Sequence, residues 1–353
     1  MVAGWLDADV ELIEITTSGD ERTAGGAPGP AARTGRPGPP ARAGRVASPP
    51  TDKSRFVKEI EEALLRGDVD LAVHSAKDVP GELPEGLAIV GVPERADPRD
   101  SLCGAASLDA LAEGARVGTS SLRRRAQLLA ARPDLRVEDV RGNVDTRLRR
   151  LADGDYDALV LAAAGLARLG RDEGSAIPAA TMVPAPGQGC LALEARAGDA
   201  EMAVLAAALT DRAALTALTA ERALVGELEA TCNTPLAAYA ELVTSAAPGG
   251  AAPPPGEAAA PGEAAAPGEA AAPGEAAAPG EAAAPGEAAA PGGAGAGTLR
   301  LTAFAGLPDG SHWITDVLEG DAADPAALGR AMAERLVAAG AAELLAAAER
   351  AAA

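Results

Sequence analysis

Residues 255–290 are six uninterrupted copies of PGEAAA. Proline at every sixth position removes a backbone donor and prevents a continuous helix. The repeat has no large apolar residue, so stacked copies have no core to bury, and a packed solenoid is excluded. The stretch 244–297 therefore reads as an acidic solvated linker. What folds must come from the chain on either side. A second stretch, 20–52, is rich in Pro, Gly and Arg, lacks apolar periodicity and reads as a mobile loop.

Between these two stretches, strand and helix patterns alternate. Short apolar runs predict strands at VELIEI (10–15), DLAVHS (70–75), LAIVGV (87–92), ARVGTS (115–120), RVEDVRG (136–142), ALVLAAAG (158–165) and LALEAR (191–196). Apolar residues three and four apart predict helices at 54–67, 121–133 and 143–154. Such alternation implies mostly parallel sheets with ligands beyond the carboxyl ends of their strands. LAVHSAKDVP (71–80) is the pointed case. It starts as a buried strand and ends by presenting Lys77 and Asp78 where a parallel sheet would hold a site, while His74 reads as a core histidine. After a helical stretch at 214–230 the pattern changes. PLAAYAELV (235–243) and 298–320 read as antiparallel strands with a turn at PDG (308–310), and one helix is expected from Asp324 to about Arg350. This is a separate small α+β unit.

The formal charge of −20 argues against nucleic-acid binding by the surface as a whole. No apolar run reaches the roughly 18 residues of a membrane span, and the N-terminus lacks the pattern of a secretory signal. Three widely spaced cysteines, Cys103, Cys190 and Cys232, fit neither a disulfide framework nor a zinc site. A cytoplasmic protein is expected. Against the acidic background, residues 115–150 carry ten arginines and four acids. Three arginines follow VGTSSL directly, so Thr119, Ser120 and Ser121 would offer hydroxyls and backbone N–H groups at a helix start, an arrangement suited to an anion. Arg141 and Arg147 follow near the next strand and helix. Guanidinium forks match carboxylates, so a polycarboxylate or phosphate ligand fits the cluster. Nucleic acid fits less well, because no interleaved aromatics offer base stacking.

Taken in order, LAVHSAKDVP, ADPRDSL, VGTSSLRRRAQL, RGNVDTRL, DALVLAAAGLARLG, VPAPGQG and ELEATCNTPLAAYAEL resemble the motifs of the porphobilinogen deaminase (hydroxymethylbilane synthase) family. The resemblance spans about 10–20, 53–243 and 298–350. It implies two α/β domains of the type 2 periplasmic-binding-protein kind, 1–93 with 189–208 and 94–188. A third, α+β domain, 209–353, would be interrupted by 244–297. It also implies a dipyrromethane cofactor held by a thioether bond to Cys232. Four porphobilinogen units would be added to it, each with loss of ammonia, and 1-hydroxymethylbilane released. Asp78 would be the catalytic carboxylate, stabilising the cationic azafulvene left when ammonia departs. Ser75, Lys77, Thr119, Ser121, Arg123, Arg124, Arg141, Arg147, Arg168 and Gln188 would bind acetate and propionate groups. Lys53 and Phe56 would close the end of a lid (21–52). The resemblance further implies a monomer with no metal, nucleic-acid or membrane partner.

The chain also departs from the family pattern. The family's opening strand and helix, with an Arg and a Ser that contact the cofactor, have no counterpart, which implies an N-terminally truncated member. The lid is longer, and the PGEAAA tract replaces a short hairpin turn. Two alternatives stay open: an inactive remnant of the enzyme, and a non-catalytic anion-binding protein of the same fold.

Overall fold

A computed structural model of the chain describes residues 10–13, 15, 54–231, 233–243 and 297–352. All of these fall in one compact unit, Met1–Val243 with Ala296–Ala353. The fold is mixed α/β with a separate small sheet near the C-terminus. The loop 20–52, Lys53, Cys232 and the tract 244–296 lie outside the described residues.

The first sheet has three strands, β1 (Ala72–Ser75), β8 (Leu191–Arg196) and β2 (Leu87–Gly91), in that order. Helix α1 (Ser54–Arg66) covers it through Leu64, Ala72 and Leu87. The second sheet is built from a continuous piece of chain: β3 (Asp100–Cys103), β4 (Arg116–Gly118), β5 (Arg136–Glu138), β6 (Ala158–Ala162) and β7 (Ser175–Ala176), in spatial order β5-β4-β6-β3-β7. Three helices follow its strands: α2 (Leu122–Ala131), α3 (Val144–Ala152) and α4 (Ala163–Arg168). The third sheet is an antiparallel meander of β9 (Leu236–Val243), β10 (Thr298–Gly306) and β11 (Trp313–Asp321). Between the first and third sheets run α5 (Ala200–Leu209) and α6 (Arg212–Glu227), and the chain closes with α7 (Pro325–Ala338) and α8 (Ala341–Ala352).

Local chemistry sets the helix starts. Ser121, Asn143, Asp199, Asp211 and Asp324 each accept a hydrogen bond from a backbone N–H three residues on. Such caps are worth about 1 kcal/mol each. Pro325 sits in the first turn of α7, where its missing N–H costs nothing. The largest core joins α6, α7 and α8 to one face of the third sheet, with Leu224, Leu299, Leu301, Met332 and Leu336 fully buried. Each such side chain contributes about 1.5–3 kcal/mol.

Several expectations change. The sheets are not mostly parallel: β8 runs antiparallel to both β1 and β2, and β3 antiparallel to β6 and β7. Among the described strands only the β4–β5 and β4–β6 pairs are parallel. The run VELIEI forms no strand in its described residues. Leu12 and Ile13 are exposed, and an alternating pattern becomes a strand only where a partner supplies the ladder. The single C-terminal helix is two, because Gly340 takes φ +96 and its N–H and that of Ala339 cap α7. Strand β3 was not expected at all. No single described helix is long and apolar enough to cross a membrane.

Candidate active site

The site is assembled from strand ends and the loops that pack on them. β1 ends at Ser75, and the chain tightens at once into a single 3-10 turn, Ala76–Asp78. The Ala76 N–H donates to the carbonyl of Cys190, at the start of β8, so turn and sheet are fixed together. The loop Pro184–Gly189 lies flat on this turn. A Cβ on Gly187 would come within 3.0 Å of the Ala76 carbonyl carbon and the Lys77 nitrogen. A Cβ on Gly189 would sit 2.3 Å from the Ala96 carbonyl oxygen. Both glycines have positive φ, so PGQG is glycine-rich because backbones meet there. Ser75, Lys77 and Asp78 are all half-buried.

Behind the turn, His74 is buried with its Nε2 2.9 Å from Glu194 Oε2 on β8. It is a core histidine, as its place in an apolar strand suggested. Glu61 on α1 completes a buried acidic group. Burial first, then the charge of Glu194, raises the Glu61 pKa, and His74 partly offsets this.

Gln188 connects the turn to the arginine cluster. Its side-chain N–H group donates to the Pro98 carbonyl and to Asp100 Oδ1, at 2.7 and 2.9 Å. Asp100, the first residue of β3, is fully buried and meets Arg123 at 2.8 Å and Arg124 at 2.8 Å. Burial alone would raise the Asp100 pKa, but the two guanidinium groups and the Gln188 hydrogen bond hold it well below the usual carboxylate range. The Arg123 pKa moves downward too. Burial dominates there, and the help from Asp100 is opposed by the like charge of Arg124. Arg123 also donates to the Val183 carbonyl, and Arg124 to that of Val160. These two arginines are therefore already committed inside the protein, although their helix lies where the sequence placed it.

The hydroxyls before α2 are partly used as well. Ser121 Oγ caps Arg124 N–H, Thr119 Oγ1 accepts from Ser121 N–H, and Ser120 Oγ donates to the Val140 carbonyl. Thr119 is buried and Ser121 half-buried. Arg141 is exposed, beyond the end of β5 rather than in it.

Arg147 and Arg168 differ from Arg123 and Arg124. Both are half-buried, and among the described residues their side chains donate to backbone carbonyls alone, those of Gly142 and Gly189 respectively. Burial lowers both pKa values, and Arg124 adds like-charge repulsion at Arg147. Among the described residues neither has a carboxylate within ion-pair distance. Phe56 falls in α1, Lys53 and Cys232 outside the described residues.

Three groups were missed from sequence: Asp100, Arg95 and Glu221. Arg95 donates to both oxygens of Glu221 and to the Gln188 carbonyl, while Glu221 also accepts from the N–H groups of Gly187 and Ala240. This buried pair joins the PGQG loop, α6 and the third sheet. The only sequence signal was that Arg95 immediately precedes ADPRDSL and Asp100 lies within it.

Fold and site together define a mixed α/β protein in which an acid-bearing turn is tied through the Gln188 loop to a buried pair of arginines. Residues 39–204 match the family model described as porphobilinogen deaminase, dipyromethane cofactor binding domain. A protein named porphobilinogen deaminase from Roseiflexus sp. (strain RS-1) is 54% identical over 195 residues, covering 54% of this chain and 64% of the relative. One of the same name from Bacillus cereus is 51% identical over 200 residues, 55% of this chain and 65% of the relative. The chain thus spans just under two thirds of the length of these curated relatives. Among solved structures, a periplasmic substrate-binding protein of an ABC transporter from Coxiella burnetii is 17% identical with a TM-score of 0.30, over 44% of this chain and 77% of that one. A putative periplasmic sulfonate-binding protein from Methylobacillus flagellatus KT is 17% identical with a TM-score of 0.27, over 46% and 50%.

Proposed function

We propose that the protein is a porphobilinogen deaminase that condenses four porphobilinogen molecules into 1-hydroxymethylbilane and releases ammonia at each addition. The observation that carries this reading is the pair Arg147 and Arg168. A half-buried guanidinium that meets only a backbone carbonyl is under-satisfied, and a carboxylate is its natural partner. Substrate and product of this reaction carry acetate and propionate groups throughout.

A covalent dipyrromethane fits the residues present. Its carboxylates match Arg147 and Arg168. Gln188 Oε1, buried and without a hydrogen-bond partner among the described residues, can accept from a pyrrole N–H. When bound, the cofactor would supply the nucleophilic pyrrole carbon that takes the first unit and from which the linear chain is extended. Cys232 is proposed as its attachment point. The other two thiols are poor candidates: both are buried, and burial above all pushes Cys103 up to about 11 and Cys190 up to about 12.

In this reading Asp78 faces the substrate's nitrogen atoms, stabilises positive charge as ammonia leaves and moves protons at the pyrrole nitrogen. Lys77, Ser75, Thr119, Ser121 and Arg141 orient the carboxylates. Arg123 and Arg124, already paired through Asp100, add positive potential at close range. The division into 1–93 with 189–208, 94–188 and 209–353 is supported by the three sheets, whose strands fall within those bounds. A monomer in the cytoplasm completes the proposal.

Two measurements on the purified full chain test it: intact mass for a dipyrromethane adduct, and bilane formation from porphobilinogen. An adduct on Cys232 with turnover is the expected result. Anion binding without adduct or turnover would instead favour a non-catalytic binding protein.

A further inference from the structure

Glu221 and Arg222 are neighbours on α6, yet they serve opposite sides of the site. Glu221 accepts from the Gly187 N–H at 2.6 Å and so holds the loop of Gln188. The Arg222 guanidinium donates to the carbonyls of Pro80 and Gly81, at 2.8 and 2.9 Å. Those two carbonyls follow Asp78 by two and three residues. Gly81 also lies directly on the helix, since a Cβ there would meet Val225 Cγ1 at 3.3 Å. Among the described residues no carboxylate approaches Arg222 within ion-pair distance. Glu194, behind the His74 strand, is the charge that acts on it. A half-buried cation spent on two backbone carbonyls is a costly way to secure a surface turn. It fixes the turn's position against a helix that belongs to a different sheet.

We propose that Arg222 is a positioning residue for Asp78, clamping the turn through Pro80 and Gly81 so that the carboxylate stays aligned with the reacting nitrogen. This rests on the proposed deaminase activity. It assigns α6 a role in the reaction: one helical turn sets both loops, Glu221 the Gln188 side and Arg222 the Asp78 side.

The test compares Arg222→Met and Arg222→Lys with the unaltered full chain, following kcat, KM, cofactor mass and amide exchange at Val79. In Arg222→Met, kcat should fall about 10–100-fold, the range in which a small misplacement of a reacting group is felt. KM and the cofactor adduct should change little, since a group acting only in the transition state leaves binding intact. Exchange at Val79, whose N–H closes the turn on Ala76, should quicken about tenfold as the local structure loosens. Arg222→Lys should recover part of both effects, because an ammonium can still serve one carbonyl. Wild-type kcat and exchange in Arg222→Met would overturn the proposal. A rise in KM with unaltered exchange would overturn it too, by making Arg222 a substrate ligand. Should Arg222→Met not fold, Arg222→Lys decides through the same readouts. Should the unaltered chain make no bilane, the deaminase reading fails, and the exchange measurement still accepts or rejects the clamp.

Discussion

Asp100 lets two arginines share one small volume. Its carboxylate is fully buried and lies 2.8 Å from each. Asp100→Asn keeps the shape and removes the charge, leaving Arg123 and Arg124 as buried like charges. Breaking such a pair costs about 3–5 kcal/mol, which urea unfolding at pH 7 should register. The pH dependence follows from the direction of the shift. The folded-state pKa lies below the unfolded value of about 3.9, so the stabilisation is present above that value and is lost as the pH falls through the folded one. The gap between the unaltered protein and Asp100→Asn should therefore narrow on acidification toward pH 2; a constant gap would mean that Asp100 is not the responsible charge. Asp78→Asn is a different kind of change, since Asp78 is half-buried at a turn rather than locked in the core. It should fold normally and lose turnover by about 3–4 kcal/mol of barrier. A variant that keeps most of its rate would remove Asp78 from the chemistry.

The hairpin between β10 and β11 reaches α2, the helix beside the second sheet, together with Ala237 and Phe304, which pack near Ala126. Leu307 and His312 close its turn, and Gly310 at the tip, with φ +70, presses on α2. A Cβ there would stand 2.5 Å from the Ala130 nitrogen and the Leu129 carbonyl carbon. Gly310→Ala thus meets backbone on one side and a disfavoured φ on the other. It should cost about 1–3 kcal/mol and, since α2 carries Arg123 and Arg124, lower turnover too; unchanged urea unfolding would show that the tip does not dock. The PDG turn could be read in advance, because its residues signal a turn by themselves. So could β8, where apolar pattern and strand coincide at Leu191–Arg196. β3 could not. All four of its residues are buried, including Asp100 and Ser101, and an aspartate inside a strand looks like surface until its arginines are known. The same blindness hid Glu221 and Glu194, whose burial depends on partners far along the chain. The strand-like VELIEI failed in reverse: its pattern is present, but none of the described strands pairs with it.

For the molecule as a whole, the tract 244–297 is bounded by a paired position. Val243 at the end of β9 faces Thr298 at the start of β10. The two strands are therefore neighbours at the point where the tract leaves and returns, and a short turn could join them. Replacing 246–296 by such a turn shortens the loop by three to four halvings, a gain of at most about 2 kcal/mol in closure entropy. Thermal unfolding should be unchanged or slightly later and bilane formation retained; a fall in cofactor loading would give the tract a task beyond joining strands. The order of strands in the first sheet has another consequence, for synthesis. β8 is its middle strand, yet it leaves the ribosome about a hundred residues after β1 and β2. Until then, among the described residues, those two strands have α1 to pack on but no strand between them to complete the ladder. The second sheet, drawn from one continuous stretch, needs no such delay. Of these two sheets, the one whose strands are made earlier is thus the one completed later. In that interval a chaperone would have its natural target in β1 and β2, with the Asp78 turn between them.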